Sequence, residues 1–122
     1  MDKLTVSEDK FYHLLRKELL FSNIKITKKV SIEDICVKNN ILLSDFEKKT
    51  IKDVVIDFIL SKGKKIIAGI EIVDEVEEMN NLGDKLLKDT IFTRLNSEYF
   101  RVIDLDKLGE AVRIIKEKVM KS

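Results

Sequence analysis

The sequence predicts one α/β (α+β) domain over residues 1–122, a mixed sheet with helices packed on it. Three observations predict it. Two apolar, β-branched runs flank a glycine-containing turn in VVIDFILSKGKKIIAGIEIV, residues 54–73. Apolar residues recur at helical spacing toward both ends of the chain. Proline is absent and only four glycines occur, so no linker divides a chain whose 122 residues fit a single domain.

Each element has its own justification. Thr5-Val6-Ser7-Glu8 has the form of a capping box, in which a threonine hydroxyl and a glutamate three residues on satisfy backbone N–H groups at a helix start. Phe11, Leu14, Leu15 and Leu19 then predict an amphipathic helix to about Leu20. Ile24 and Ile26 alternate with Lys25, and Val30 and Ile32 follow, a short strand with its Lys25 side toward solvent. Ser31 with Asp34 can cap a single helical turn through Cys36, while residues 38–52 show no readable period.

Strands over 54–60 and 66–72 form a hairpin. The acidic segment Asp74, Glu75, Glu77 and Glu78 is expected as an exposed loop or helix start. Gly83 and Asp84 introduce a helix through Leu95 that buries Leu87, Ile91, Phe92 and Leu95. Tyr99 to Ile103 reads as a strand, and Leu108, Val112, Ile115 and Val119 mark a terminal amphipathic helix. That stripe is expected to pack on the chain's own sheet; a homodimer through it is the alternative. The element order is α-β-β-β-α-β-α.

Composition excludes several classes. Hydrophobic residues make up 44% and charged residues 37%, enough for a core beneath a charged surface. Lys plus Arg number 23 and Asp plus Glu 22, a formal charge of +1, which argues against a purely electrostatic nucleic-acid binder. Cys36 is the single cysteine, so no internal disulfide or cysteine-rich zinc site forms, and a small buried hydrophobe is expected there. His13 is also alone. No run approaches the roughly 20 apolar residues of a membrane helix, and MDKLTVSED lacks a signal-peptide core. A cytoplasmic protein without a membrane partner is the expectation.

The hairpin carries the chemistry. Asp57 and Glu71 each interrupt an apolar strand, where an unpaired carboxylate costs several kcal/mol or more. They stand opposite each other if the loop is odd in length or if a β-bulge restores the phase; a two-residue turn with unbroken pairing separates them. Opposed carboxylates need a cation or a shared proton. Hard oxygen ligands suit Mg²⁺, Mn²⁺ or Ca²⁺ better than zinc. A bound Mg²⁺ keeps positions for water and a phosphate oxygen, the arrangement for phosphodiester hydrolysis.

A helix with an early glutamate, an Asp-Phe strand, a turn, a strand with an internal glutamate, then a helix and strand follow one another here. The segments are LTVSEDKFYHLLRKEL, VVIDFIL, IIAGIEIVD, LLKDTIF and YFRVI. In that order they resemble the PD-(D/E)xK nuclease superfamily, with its restriction-endonuclease-like mixed sheet. More narrowly they look like the bacterial domain-of-unknown-function family 2726, akin to very-short-patch-repair endonucleases. The resemblance implies metal-dependent hydrolysis of nucleic acid, DNA first, with Mg²⁺ or Mn²⁺ as cofactor. It implies Asp57 and Glu71 as metal-binding carboxylates, the Ile72 carbonyl as a further ligand, and Glu8 as a helix-borne acid reaching the same metal.

The superfamily also uses a lysine to orient the attacking water. Val73 stands at the position two after Glu71, and where the closer family usually reads Glu-Leu-Asp-Asp with a later histidine, this chain has Glu71-Ile72-Val73-Asp74 and none. The nearest substitute is Lys88 in LLKDTIF, which aligns with Ile91, Phe92 and Leu95 on a helix and edges its sheet-facing side. Whether the chain is an enzyme stays open. The alternative is a catalytically inactive module of the same fold that binds nucleic acid or protein. Each residue also has a plainer reading: Glu8 as a cap, Asp57 paired with a lysine, Glu71 paired with Lys64 or Lys65, and Lys88 in solvent. The basic clusters at 25–29 and 62–65 are phosphate contacts or ordinary surface.

Overall fold

The computed structural model describes residues 4–73 and 82–121, the side chains of 82–84 excepted; the acidic segment at 74–78 lies outside the described residues. Helix α1 (Val6–Glu18) starts at the expected capping box, with Thr5 as N-cap. Strand β1 covers Ile24–Ser31. The single turn expected after it is a seven-residue helix, α2 (Ile32–Lys38), capped by Ser31 on the Asp34 amide. Within the stretch that showed no period lies α3 (Asp45–Ile51), which has its own capping box from Ser44 and Glu47. Helices this short expose too few periodic positions to register as amphipathic. Among the described residues these two helices are the departures from the expected order.

The hairpin strands are β2 (Val55–Lys62) and β3 (Lys65–Ile72). Helix α4 (Leu82–Arg94) crosses over to β4 (Glu98–Val102). A short 3₁₀ turn, Leu105–Lys107, leads into α5 (Leu108–Met120). The sheet is mixed, with strand order β1-β2-β3-β4. β1, β2 and β3 are antiparallel neighbours, and β4 runs parallel to β3. A parallel neighbour needs a crossover, and α4 supplies it.

The sheet separates two apolar cores. On one face, Phe11 and Leu15 of α1 and Val112, Ile115 and Val119 of α5 pack on Phe58, Leu60 and Ile70. The α5 stripe is therefore buried in the chain's own core. On the other, Ile32, Ile35, Cys36 and Ile51 join Ile59, Ile91 and Phe92. Cys36 is the buried hydrophobe its solitude suggested, and burial raises its thiol pKa. With apolar layers on both faces, the middle strands read as near-continuous hydrophobic runs, so their two carboxylates stand out. Among the described residues no helix is long and apolar enough to cross a membrane.

Candidate functional site

The hairpin turn sets the site. Gly63 and Lys64 form a two-residue turn closed by Lys62↔Lys65 and Ser61↔Ile66. Gly63 takes φ +58°, as the first residue of a type II′ turn requires. Continued without interruption, that register would pair Asp57 with Ile70. Instead the ladder slips between Leu60 and Ser61, leaving Ile67 as an extra residue on β3, and resumes as Leu60↔Ala68, Ile59↔Gly69 and Phe58↔Ile70. The resumed register brings Asp57 opposite Glu71. Of the two ways the sequence allowed for opposing these acids, the bulge is the one found.

Asp57 is held from two sides. Its Oδ2 accepts the Ile72 N–H at 2.8 Å, and its Oδ1 accepts from Lys29 Nζ at 2.7 Å. The same ammonium lies 3.0 Å from Glu8 Oε1. Glu8 meanwhile completes the capping box: its Oε1 accepts the Thr5 N–H at 2.9 Å, and its own N–H donates to Thr5 Oγ1 at 3.1 Å. The capping role and the site role of Glu8 are thus compatible, because one carboxylate oxygen serves both. Lys29 reaches this position from an edge strand with φ +50°, a left-handed conformation rare for a residue with a Cβ.

Glu71 is held from the other side of the sheet row. Lys88 Nζ lies 2.6 Å from its Oε1, and the Tyr99 hydroxyl donates to the same oxygen at 2.6 Å. Arg101, its register partner on β4, lies 4.0 Å away and donates to the Tyr99 oxygen at 2.9 Å. Phe92 stacks on Tyr99 with centroids 5.3 Å apart and covers Gly69, where a Cβ would meet its ring. Two plainer expectations are corrected here. Lys88 is 4% exposed and paired, not a solvated helix lysine, because α4 turns it onto the sheet. The lysine that meets Glu71 is Lys88, whereas Lys64 and Lys65 stand at the far, turn end of the hairpin.

Burial sets the electrostatics. It raises Asp57 above its ordinary value, aided by the charge of Glu8, and the bonds from Lys29 and Ile72 offset only part of this. Burial also pushes Glu8 up, but the Thr5 amide and Lys29 outweigh it and hold Glu8 low. Lys29 is held above its usual value: burial lowers it, and its bonds to Asp57 and Glu8 more than compensate. One ammonium shared by two acids thus leaves them shifted in opposite directions, the deeper acid Asp57 up and Glu8 down. Tyr99 is driven far up by burial and by Glu71, so it remains a donor.

Glu8, Asp57 and Glu71 line one cleft of about 340 Å³ together with Thr5, Ser7, Ile72, Val73 and Leu105. Larger clefts of about 440 and 380 Å³ lie elsewhere, and none of the three acids lines either. The three carboxylates face three cations, Lys29, Lys88 and Arg101, so these six side chains are formally neutral. Among the described residues no three His, Cys, Asp or Glu side chains form a group that could hold a metal ion. The donor oxygens of Asp57 and Glu71 suit a hard divalent ion, but each already bonds a lysine.

Lys29, Tyr99 and Arg101 were absent from the residues singled out by sequence. By local sequence Lys29 belongs to a surface lysine cluster, and only the β1–β2 register sets it beside Asp57. Tyr99 and Arg101 alternate on one face of YFRVI, a signal that needs the β3–β4 pairing to acquire meaning. No protein-family model, curated protein or solved structure matches the chain.

Proposed function

We propose that this chain is a nuclease-fold domain of the PD-(D/E)xK type, hydrolysing phosphodiester bonds of nucleic acid, DNA first, with Mg²⁺ or Mn²⁺. The observation that carries this reading is the opposition of Asp57 and Glu71 across β2 and β3, both lining one cleft. The order of one helix, three antiparallel strands, a crossover helix and a parallel strand supports it, leaving aside α2 and α3. Asp57 and Glu71, with the Ile72 carbonyl, would hold the ion, and Glu8 would approach from the α1 N-terminus. Bound there, the ion would act as a Lewis acid on a phosphate oxygen and lower the pKa of a bound water. Lys88 is the catalytic lysine of this reading, and its bond to Glu71 fixes that carboxylate. Plasmid DNA incubated with Mg²⁺ or Mn²⁺ should be nicked, and the double variant Asp57→Ala, Glu71→Ala should leave it intact. Intact plasmid with wild-type protein under both ions would remove the hydrolytic reading.

The second reading is a module of the same fold that binds nucleic acid or protein without cleaving. Two observations favour it. Val73, at the position of the usual lysine, is 7% exposed and apolar, and the cleft acids are already neutralised by protein cations. DNA retention in a gel-shift assay that survives the loss of both carboxylates, with plasmid left intact, would support it.

A further inference from the structure

We infer that Lys29 is a built-in counter-ion of the cleft, one that a divalent cation must displace from Asp57 before it can bind. The inference rests on the metal-binding part of the reading above and concerns what regulates that site.

The geometry is specific. The Lys29 ammonium bridges Asp57 Oδ1 at 2.7 Å and Glu8 Oε1 at 3.0 Å, so it occupies the position from which one cation would bond both acids. It does so from a strained backbone. The β1–β2 ladder keeps one register on both sides, Lys28↔Phe58 and Val30↔Ile56, while Lys29 between them adopts φ +50°. A left-handed non-glycine residue costs on the order of 1–3 kcal/mol, and it persists only where the surroundings fix it. Here the surroundings are the flanking strand pairs and the two carboxylates that hold the ammonium.

The two sides of the cleft differ in how easily they can open. Lys88 is sealed, 4% exposed, with Tyr99 bonded to the same Glu71 oxygen. The Lys29 side chain is 18% exposed and extends from an edge strand, so water can receive its ammonium when it leaves. Its departure would leave Glu8 and Asp57 with net negative charge, which is what a divalent ion needs. Lys28, its neighbour, instead lies over the Tyr12 ring at 4.5 Å and touches neither acid, so it serves as the control for a general loss of positive charge.

The test is Mn²⁺ titration by calorimetry of wild type, Lys29→Gln, Lys29→Met and Lys28→Gln, with thermal melts to establish folding. Glutamine retains a donor for Asp57 and guards against loss of fold in the methionine variant. Lys29→Gln should bind Mn²⁺ at least about tenfold more tightly than wild type, since removing a unit charge a few Å away is worth more than one decade at an intermediate dielectric. Lys28→Gln should match wild type. Binding by Lys29→Gln where wild type binds none also supports the inference. Equal or weaker binding by Lys29→Gln than by a wild type that binds overturns the inference and leaves the metal site standing. Absence of binding in every protein overturns both.

Discussion

Lys88 and Glu71 form a buried ion pair, 2.6 Å between Nζ and Oε1, joining the crossover helix α4 to the central strand β3. Removing one partner strands a desolvated charge, which costs roughly 3–5 kcal/mol, whereas replacing both by apolar groups of similar volume is often neutral. Lys88→Met should therefore lower unfolding free energy in urea by roughly that amount. The double variant Lys88→Met, Glu71→Leu should recover most of the loss. A single variant as stable as wild type would show that the pair contributes little to the fold.

Gly69 is required by the ring above it. An added Cβ would fall 2.6 Å from Phe92 Cε1, and Phe92 in turn stacks on Tyr99, which bonds Glu71. Overpacking of this kind costs about 1–3 kcal/mol. Gly69→Ala should lower Tm accordingly, and Phe92→Leu in the same chain should restore part of it by making room. If Gly69→Ala melts like wild type, the ring does not rest where the structure has it.

How far the sequence reaches is visible in these same residues. The capping box, the hairpin, the crossover helix and the α5 stripe are written in local patterns of spacing, and each is found within a few residues of its expected place. The opposition of Asp57 and Glu71 was legible only as a condition, because it depends on a bulge at Leu60/Ser61 that no local motif announces. The sequence shows α2 only as a single capped turn and α3 not at all, because seven residues provide scarcely two turns of periodicity. Lys29 was lost for another reason. Its role depends on a register with β2 and on a contact with α1, both long-range, while its local context is that of a surface lysine.

Thr5 links a helix cap to the cleft. Its hydroxyl accepts the Glu8 N–H, and Glu8 returns its carboxylate to the Thr5 N–H and to Lys29. Losing such a cap costs about 1 kcal/mol. Thr5→Ala should show that loss in urea unfolding, and Thr5→Ser, which retains the hydroxyl, should not. Equal stability of the alanine and serine variants would mean that the cap contributes nothing beyond the helix itself.

The two acids on Lys29 should respond to pH in opposite senses. Asp57 has a folded-state pKa above its unfolded value near 3.8, so its contribution is favourable at low pH and is lost as pH rises through the folded value. Asp57→Asn imitates the protonated form, and its Tm relative to wild type should climb between about pH 3.5 and pH 7. Glu8 has a folded-state pKa below its unfolded value of 4.5, so its stabilisation is present above that value and is lost as pH falls through the folded one. Glu8→Gln keeps the form of the capping box but loses the charge. Its deficit against wild type should be full at pH 7 and should shrink in acid. Melting curves of the three proteins across this range give the two differences directly, and parallel trends would contradict the opposite shifts of Asp57 and Glu8.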